Sequence, residues 1–281
     1  MTAARQDSCA NGAPARALHL SGHFGEWMQG RLGPGGPVVL ITLPCAVLGV
    51  TASMDAGAQN LRGAGLDGPH GAAAAARFIA YLGLDLPYGV RVQACAEAGL
   101  GTGVSTASLL ALARLARWRG PASMLARACL RAEGASDPLM SRNPERLLWA
   151  SRQGRALARL PALPAYEVIG GFFGLPRITD PADSAFPDIV DLVPLWKAAR
   201  DLEGFAALAS VSARRSLDLR GPAQDPTADL ASRLGALGWI IAHTGAARGL
   251  IFAPGRVPDH AAQALRDAGM RGILQFSGGR A

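Results

Sequence analysis

Lysine is almost missing from this chain: Lys197 stands alone among 28 basic residues, and the rest are arginine. That scarcity excludes the Walker phosphate loop, GxxxxGK[ST], whose lysine reaches the β- and γ-phosphates, because Lys197 lies far from any glycine-rich stretch. Aromatic residues are few as well, at 6%. The net charge is +7, yet the arginines are scattered and no block of them interleaves with aromatics. A nucleic-acid-binding face concentrates its basic residues, so none is expected, whereas a diffuse positive field suits a small anionic ligand such as a nucleotide. Four cysteines, Cys9, Cys45, Cys95 and Cys129, form no CxxC pair. His19 and His23 have a spacing that would hold zinc on a helix, but no second ligand pair follows. A reduced, cytoplasmic protein is the natural expectation. A clean membrane-length apolar run is also lacking. Leu32 to Met54 is uncharged, but Pro34, Pro37 and Pro44 disfavour a membrane helix and fit two short strands. Residues 1–16 have no apolar signal core and read as a disordered lead-in.

What is present centres on Glu97 to Ala113, EAGLGTGVSTASLLALA. Gly99, Gly101 and Gly103 alternate, Ser105 and Thr106 follow, and helix formers continue without a break. Alternating glycines admit positive φ and let a ligand reach main-chain N–H groups that no Cβ shields. A helix starting there adds unpaired N–H groups and the positive end of its dipole, an arrangement suited to phosphate. Ser105 and Thr106 stand where a hydroxyl caps the helix or ligates magnesium. A plain glycine turn with an N-cap explains the same spacing equally well. The dinucleotide pattern GxGxxG is not met, since Thr106 stands where its third glycine would fall.

Taken in order, Ala17 to Ser21 alternates and reads as a strand, leading into Gly22 to Gly30, which packs His23, Glu26 and Gln29 among glycines. Such polar density predicts either a ligand-holding loop or an ordinary turn. Pro37 to Leu43 and Ala46 to Ala52 read as strands, Gly57 to Gly71 as loop, and Ala72 to Leu82 as a helix. Gly89 to Ala96 is a strand that delivers the chain to the central loop, and helices follow from Ser105 to about Trp118 and from Ala122 to Ala132. Asp137-Pro138 has the form of a helix start, with Asp137 as N-cap. Arg142 to Arg159 is expected to be helical, and Pro161 to Pro164 marks a boundary. Beyond it come a strand (Tyr166 to Phe173), a polar loop (Asp180 to Ala185) and a largely helical stretch (Val190 to Leu208). Val211 to Leu219 has no clear assignment, and its Arg214-Arg215 pair reads as a solvated face. A helix from Leu230 to Leu237 closes at Gly238. Then follow a strand Trp239 to Ala242, a glycine turn His243 to Gly249, a strand Leu250 to Ala253, a helix from about Pro258 to Ala268 and a strand Gly272 to Phe276.

Three of these segments resemble, in order, the motifs of the GHMP kinase superfamily. Gly101 to Ala107 (GTGVSTA) is similar to the GLGSSAA core of its second motif, with Ser105 on the serine that reaches magnesium. The motif's proline is missing and Val104 replaces its first serine. Gly25-Glu26-Trp27-Met28-Gln29-Gly30 and Ala242-His243-Thr244-Gly245-Ala246-Ala247-Arg248-Gly249-Leu250 further resemble the first and third motifs of L-threonine kinases from cobalamin and propanediol-utilisation pathways. The resemblance implies an α+β fold in two domains: a ribosomal protein S5 domain 2-like ATP-binding half over 17–160, and a ferredoxin-like half over 161–281. It implies ATP and Mg²⁺, with the phosphates on Gly99, Leu100, Gly101, Thr102, Gly103, Val104, Ser105 and Thr106, and the metal on Ser105. Asp137 would orient or deprotonate the acceptor hydroxyl. His23, Glu26 and Gln29, with His243, Thr244 and Gly245, would face the acceptor. That acceptor is expected to be L-threonine, converted to O-phospho-L-threonine for the aminopropanol linker of the corrinoid, with no nucleic-acid or membrane partner. Homoserine, a polyol or an isoprenoid precursor is the alternative, as is a nucleotide-binding protein without activity. Many kinases place a lysine near the transferred phosphate; here an arginine or the helix dipole has to serve.

Overall fold

The computed structural model describes residues 17–54, 63, 66, 69–85, 89–222 and 224–280. The expected lead-in and most of the Gly57 to Gly71 stretch lie outside them. Among the described residues nine strands form one sheet: β1 (Leu18–Arg31), β2 (Val38–Met54), β3 (Val90–Ala94), β4 (Leu147–Ala150), β5 (Arg155–Arg159), β6 (Tyr166–Phe172), β7 (Gly238–Ile241), β8 (Ala247–Phe252) and β9 (Arg271–Gly278). Seven α-helices are described: α1 (Pro69–Tyr81), α2 (Val104–Leu115), α3 (Ala122–Glu133), α4 (Leu192–Ala198), α5 (Leu202–Arg220), α6 (Thr227–Leu234) and α7 (Ala261–Asp267). The spatial order is β5-β4-β2-β1-β7-β8-β6-β9, with β3 on the far end of β2, and every ladder is antiparallel. The two halves of the sheet join at one point near its middle, where Glu26 of β1 pairs with Ile241 of β7.

That join corrects the reading of Gly22 to Gly30 as a loop. The segment is strand throughout, but its register against β2 shifts between Ser21 and Gly22 and again on both sides of Glu26. Bulges free a strand from strict alternation and re-aim its side chains. Here they send Phe24, Trp27 and Met28 into the core and leave His23, Glu26 and Gln29, buried but polar, facing the cleft. Pro44 sits opposite His23, beside one of these irregularities, where a missing N–H costs little; the two expected strands therefore merge into β2. Trp27 stacks edge-on against Tyr166 and Trp196 at 4.9 and 6.0 Å, and this aromatic cluster ties together the two halves of the sheet. Removing such a side chain from a core costs roughly 3–5 kcal/mol.

Three other expectations change. Arg142 to Arg159 is not a helix but the hairpin β4–β5, because Pro144 and Gly154 interrupt it and Arg155, Leu157 and Arg159 alternate along an edge strand. The helical stretch from Val190 splits into α4 and α5, where Asp201 caps the new helix by accepting from the Gly204 N–H at 2.9 Å. α5 also absorbs Val211 to Leu219; Arg215 pairs there with Asp191 on the surface. α6 ends on Gly235 in the left-handed conformation, while Gly238 opens β7. No helix among the described residues is long and apolar enough to cross a membrane.

Candidate active site

The glycine stretch leaves β3 and enters α2 through Gly99, Gly101 and Gly103, at φ 86°, 81° and 67°. Gly103 is the N-cap of α2, so neither hydroxyl after it serves as cap. The loop is held by its carbonyls. Gly99 accepts from the Arg177 N–H at 2.8 Å, Leu100 from Ala246 and Ala247 at 3.1 and 3.0 Å, Gly101 from Gly25 at 3.2 Å and Thr102 from His23 at 3.1 Å. Among the described residues no N–H from Gly99 to Thr106 donates to a backbone carbonyl. Carbonyls bound outward and donors left over make a cradle for an anion at a helix start. Leu100, Thr102 and Val104 are buried, so they offer the site main chain rather than side chain. Side chains on the glycines would destroy the latch: a Cβ on Gly101 would lie 2.3 Å from that of Ala242, and one on Gly103 would lie 2.4 Å from the His23 ring.

At the first turn of α2 the two hydroxyls diverge. Ser105 is exposed and donates a short hydrogen bond to the carboxylate of Glu133, the last residue of α3. Burial pushes Glu133 up to about 7, against the opposing pull of Ser105 and Arg77. A hydroxyl and a carboxylate meeting beside an anion cradle are oxygen donors of the kind magnesium takes. Glu133 was not singled out from sequence, since nothing in its spacing ties it to Ser105; only the packing of α3 beside the loop does. Thr106, buried, instead accepts from the N–H of Asp137 at 3.2 Å.

Asp137 precedes the short 3₁₀ turn Pro138–Met140 in an extended conformation, but its side chain makes no capping bond. It faces His23, Nε2 to Oδ2 at 3.4 Å, while His23 Nδ1 lies 3.8 Å from Glu26. Burial alone would lower His23, but Asp137 and Glu26 outweigh it and raise the imidazole to about 9. Burial likewise opposes ionisation of Asp137, yet His23 holds its carboxyl below the usual range. Glu26, buried, rises to about 7. These three groups lie within 4.8 Å of one another. The positive partner of Asp137 is therefore an imidazolium from β1, and no helical zinc pair forms, because His19 turns to Thr51.

The third segment closes the site. The His243 N–H donates to Glu26 at 2.6 Å. Gln29 gives its amide N–H groups to the carbonyls of Ile241 and Ala242, so its oxygen is left to accept from His243 Nδ1 at 3.1 Å. Burial, helped by Arg220 and Arg152, holds His243 down to about 3 and hence neutral. With Nδ1 protonated, Nε2 is an acceptor. The ring stacks flat on Phe186 at 4.3 Å, and the guanidiniums of Arg220 and Arg152 lie 4.4 and 5.4 Å from the Phe186 ring. Thr244 turns away, its hydroxyl paired with Thr179 at 2.7 Å. Phe186, Arg152 and Arg220 escaped the sequence reading: they come from a loop, a hairpin taken for helix, and a helix end left unassigned.

No family model and no curated protein sequence matches the chain. Solved structures do. A phosphotransferase related to the CoA biosynthesis pathway superposes with TM-score 0.62 at 14% identity over 93% of this chain and 98% of that one. The Methanococcus jannaschii mevalonate kinase gives 0.57 at 10% identity over 95% and 98%. A putative homoserine kinase from Listeria monocytogenes gives 0.54 at 16% identity over 94% and 98%. At these identities the likeness concerns the fold. The chain shares the mixed α/β architecture, with its large antiparallel sheet, of these solved structures along 93–95% of its length.

Proposed function

We propose that the protein is an ATP-dependent kinase of a small alcohol, with L-threonine as the favoured acceptor. The observation that carries this reading is the juxtaposition, at one helix start, of an N–H cradle, the Ser105–Glu133 oxygen pair and the ionised Asp137. The cradle would hold the β- and γ-phosphates of ATP, and Ser105 with Glu133 would hold Mg²⁺, which when bound supplies charge neutralisation. Phosphoryl transfer asks a protein mainly for alignment and electrostatics. Asp137 aligns the acceptor hydroxyl and takes its proton as the new O–P bond forms and the bond between the β- and γ-phosphates breaks. The His23 imidazolium keeps Asp137 ionised and supplies, beside Gly103, the positive charge for which the sequence offers no lysine. Glu26, beside the His23 ring and bound to the His243 main-chain N–H, positions the first ring, and Gln29 positions the second. Threonine is preferred because the first and third motifs resemble those of threonine kinases. The halves 17–160 and 161–281 would act as the nucleotide-binding domain and the C-terminal domain of such a kinase.

The test is ADP release from Mg-ATP with L-threonine, L-serine, L-homoserine and mevalonate in parallel, with Asp137→Ala alongside. Turnover on threonine, lost in the variant, is the expected result. ATP binding without turnover on any acceptor would overturn the catalytic reading.

A further inference from the structure

Between β6 and α4 the chain from Phe173 to Pro187 forms neither helix nor strand, and it runs across the candidate site. Its first part is tied to the glycine loop and to the turn after β7: the Arg177 N–H donates to Gly99 at 2.8 Å, and Thr179 meets Thr244 hydroxyl to hydroxyl at 2.7 Å. Its middle lies on the turn before Asp137, where a Cβ added to Gly134 would stand 2.6 Å from the Pro181 ring. Its last part covers His243, on which Phe186 stacks at 4.3 Å. His23, Glu26 and Gln29, the polar groups behind these contacts, are at most 3% exposed. An acceptor on its way to Asp137 therefore meets this segment first.

The segment is fastened mostly by polar contacts near the surface. The carbonyls of Asp180 and Ser184 accept from Arg152 and Arg31 at 3.1 and 3.0 Å, while Arg220 pairs with Asp183 at 2.7 Å, donates to the Ala185 carbonyl at 3.0 Å and lies over Phe186. Leu175 and Ile178 bury almost nothing, at 82% and 84% exposed, and from Gly174 to Phe186 only Phe186 is buried. The segment still keeps a shape of its own, because Asp180 and Asp183 each accept from the N–H two residues on, at 2.8 and 2.9 Å. Gly174, at φ 91° with open space where a Cβ would stand, is a free joint at one end. The other end is stitched to β1, where the Arg31 N–H donates to Pro187 and the Arg31 carbonyl accepts from Ile189. Few buried apolar contacts and surface hydrogen bonds mark a segment that opens at far less cost than the whole fold.

We propose that residues 174–186 are a strap that lifts as a unit to admit the acceptor and closes over it, with Phe186, held between His243 and Arg220, as its latch. Closure shields the transfer from water and commits the bound acceptor. The Arg177 N–H on Gly99 ties the closed strap to the glycine loop, so the two ligands meet in one closed site. The role as a gate rests on the kinase reading above, whereas the movement itself does not.

The movement is tested by tryptic cleavage of the Arg177–Ile178 bond in the full chain, followed by mass spectrometry over a urea series and normalised to a peptide control. Arg177 is the only basic residue between Phe173 and Asp188, and cleavage there needs the strap off the surface. Local opening exposes little area, so below the unfolding transition the rate is expected to be flat in urea. Phe186→Ala is expected to raise it about tenfold, and Phe186→Leu, which keeps apolar bulk and loses the stack, about threefold. A rate that climbs with the full urea dependence of unfolding, one as fast as in the unfolded chain, or one unmoved by either variant overturns the strap.

The gate is tested by a lock. Thr179→Cys with Thr244→Cys, at the two hydroxyls now in contact, is oxidised to the disulfide and compared with itself after reduction in the ADP-release assay. The oxidised form is expected to lose at least about tenfold in L-threonine turnover and to recover it with dithiothreitol. Equal turnover before and after reduction overturns the gate while leaving the kinase reading intact. If no form turns over any acceptor, the kinase reading fails, and the cleavage series alone then decides the strap.

Discussion

On one side of the candidate site, eight consecutive residues, Gly99 to Thr106, supply the wall proposed to hold phosphate, and they supply it mostly as main chain. On the side proposed to face the acceptor the groups that meet are mostly distant in sequence: His23, Asp137, Phe186, Arg220 and His243 come from a bulged strand, the residue before a 3₁₀ turn, a loop, a helix end and the turn after β7. The first wall is local, and its chemistry is that of any peptide backbone held at positive φ. The second is long-range, and its chemistry lies in the charge states that burial and proximity impose. A change on the first side is therefore expected to alter nucleotide affinity, and a change on the second to alter turnover, acceptor choice and pH dependence.

Asp137→Ala tests that division most severely. Loss of a positioned base costs about 10²–10⁴-fold in rate, so kcat is expected to fall within that range while the ATP dissociation constant, read by calorimetry, stays within about twofold. If ATP binding falls with kcat, the two walls are not separable. Gly101→Ala is the converse: a side chain at φ 81° and 2.3 Å from Ala242 is strained by about 1–3 kcal/mol, and the nucleotide affinity is expected to drop about ten- to a hundredfold. Retained affinity would show that the cradle is elsewhere.

His23→Gln is expected to lower kcat about tenfold, within the range for a supporting electrostatic contact. Its sharper signature is in the pH profile. His23 is raised from 6.5 to about 9 because Asp137 and Glu26 favour its charged form over the penalty of burial. The stabilisation this gives the fold is complete below 6.5 and is lost as pH rises through about 9. Both kcat/KM and the melting temperature are expected to decline above that pH in the native protein, and the variant to show no such limb. A matching alkaline limb in the variant would assign it to another group. The smallest effect concerns metal. Glu133, held up to about 7 by burial, must lose its proton to ligate Mg²⁺. Apparent Mg²⁺ affinity is accordingly expected to rise about tenfold per pH unit below that value and to level off above it. A flat response would remove Glu133 from the metal site.

The glycine loop and the helix after it were legible in the sequence because glycine spacing is a statement about local dihedrals; Gly99, Gly101 and Gly103 take the positive φ that spacing implied, while the cap of α2 falls on Gly103 and not on Ser105 or Thr106. The strands around it were legible by alternation, apart from β1, where bulges let a glycine-rich, polar segment remain in the sheet. The hairpin β4–β5 was misread because Arg155, Leu157 and Arg159 place charge and apolar bulk together on one face of a short edge strand, so no apolar face marks the period. What the tertiary structure alone decided is which groups meet. Nothing in residues 23, 26, 133 or 137 as a string says that His23 is charged, that Glu133 reaches Ser105, or that Phe186 stacks on His243. Charge state depends on burial and on neighbours a few ångströms away, and both are set by how β1, α3 and the turn after β7 pack together, whereas a backbone cradle needs only its own few residues.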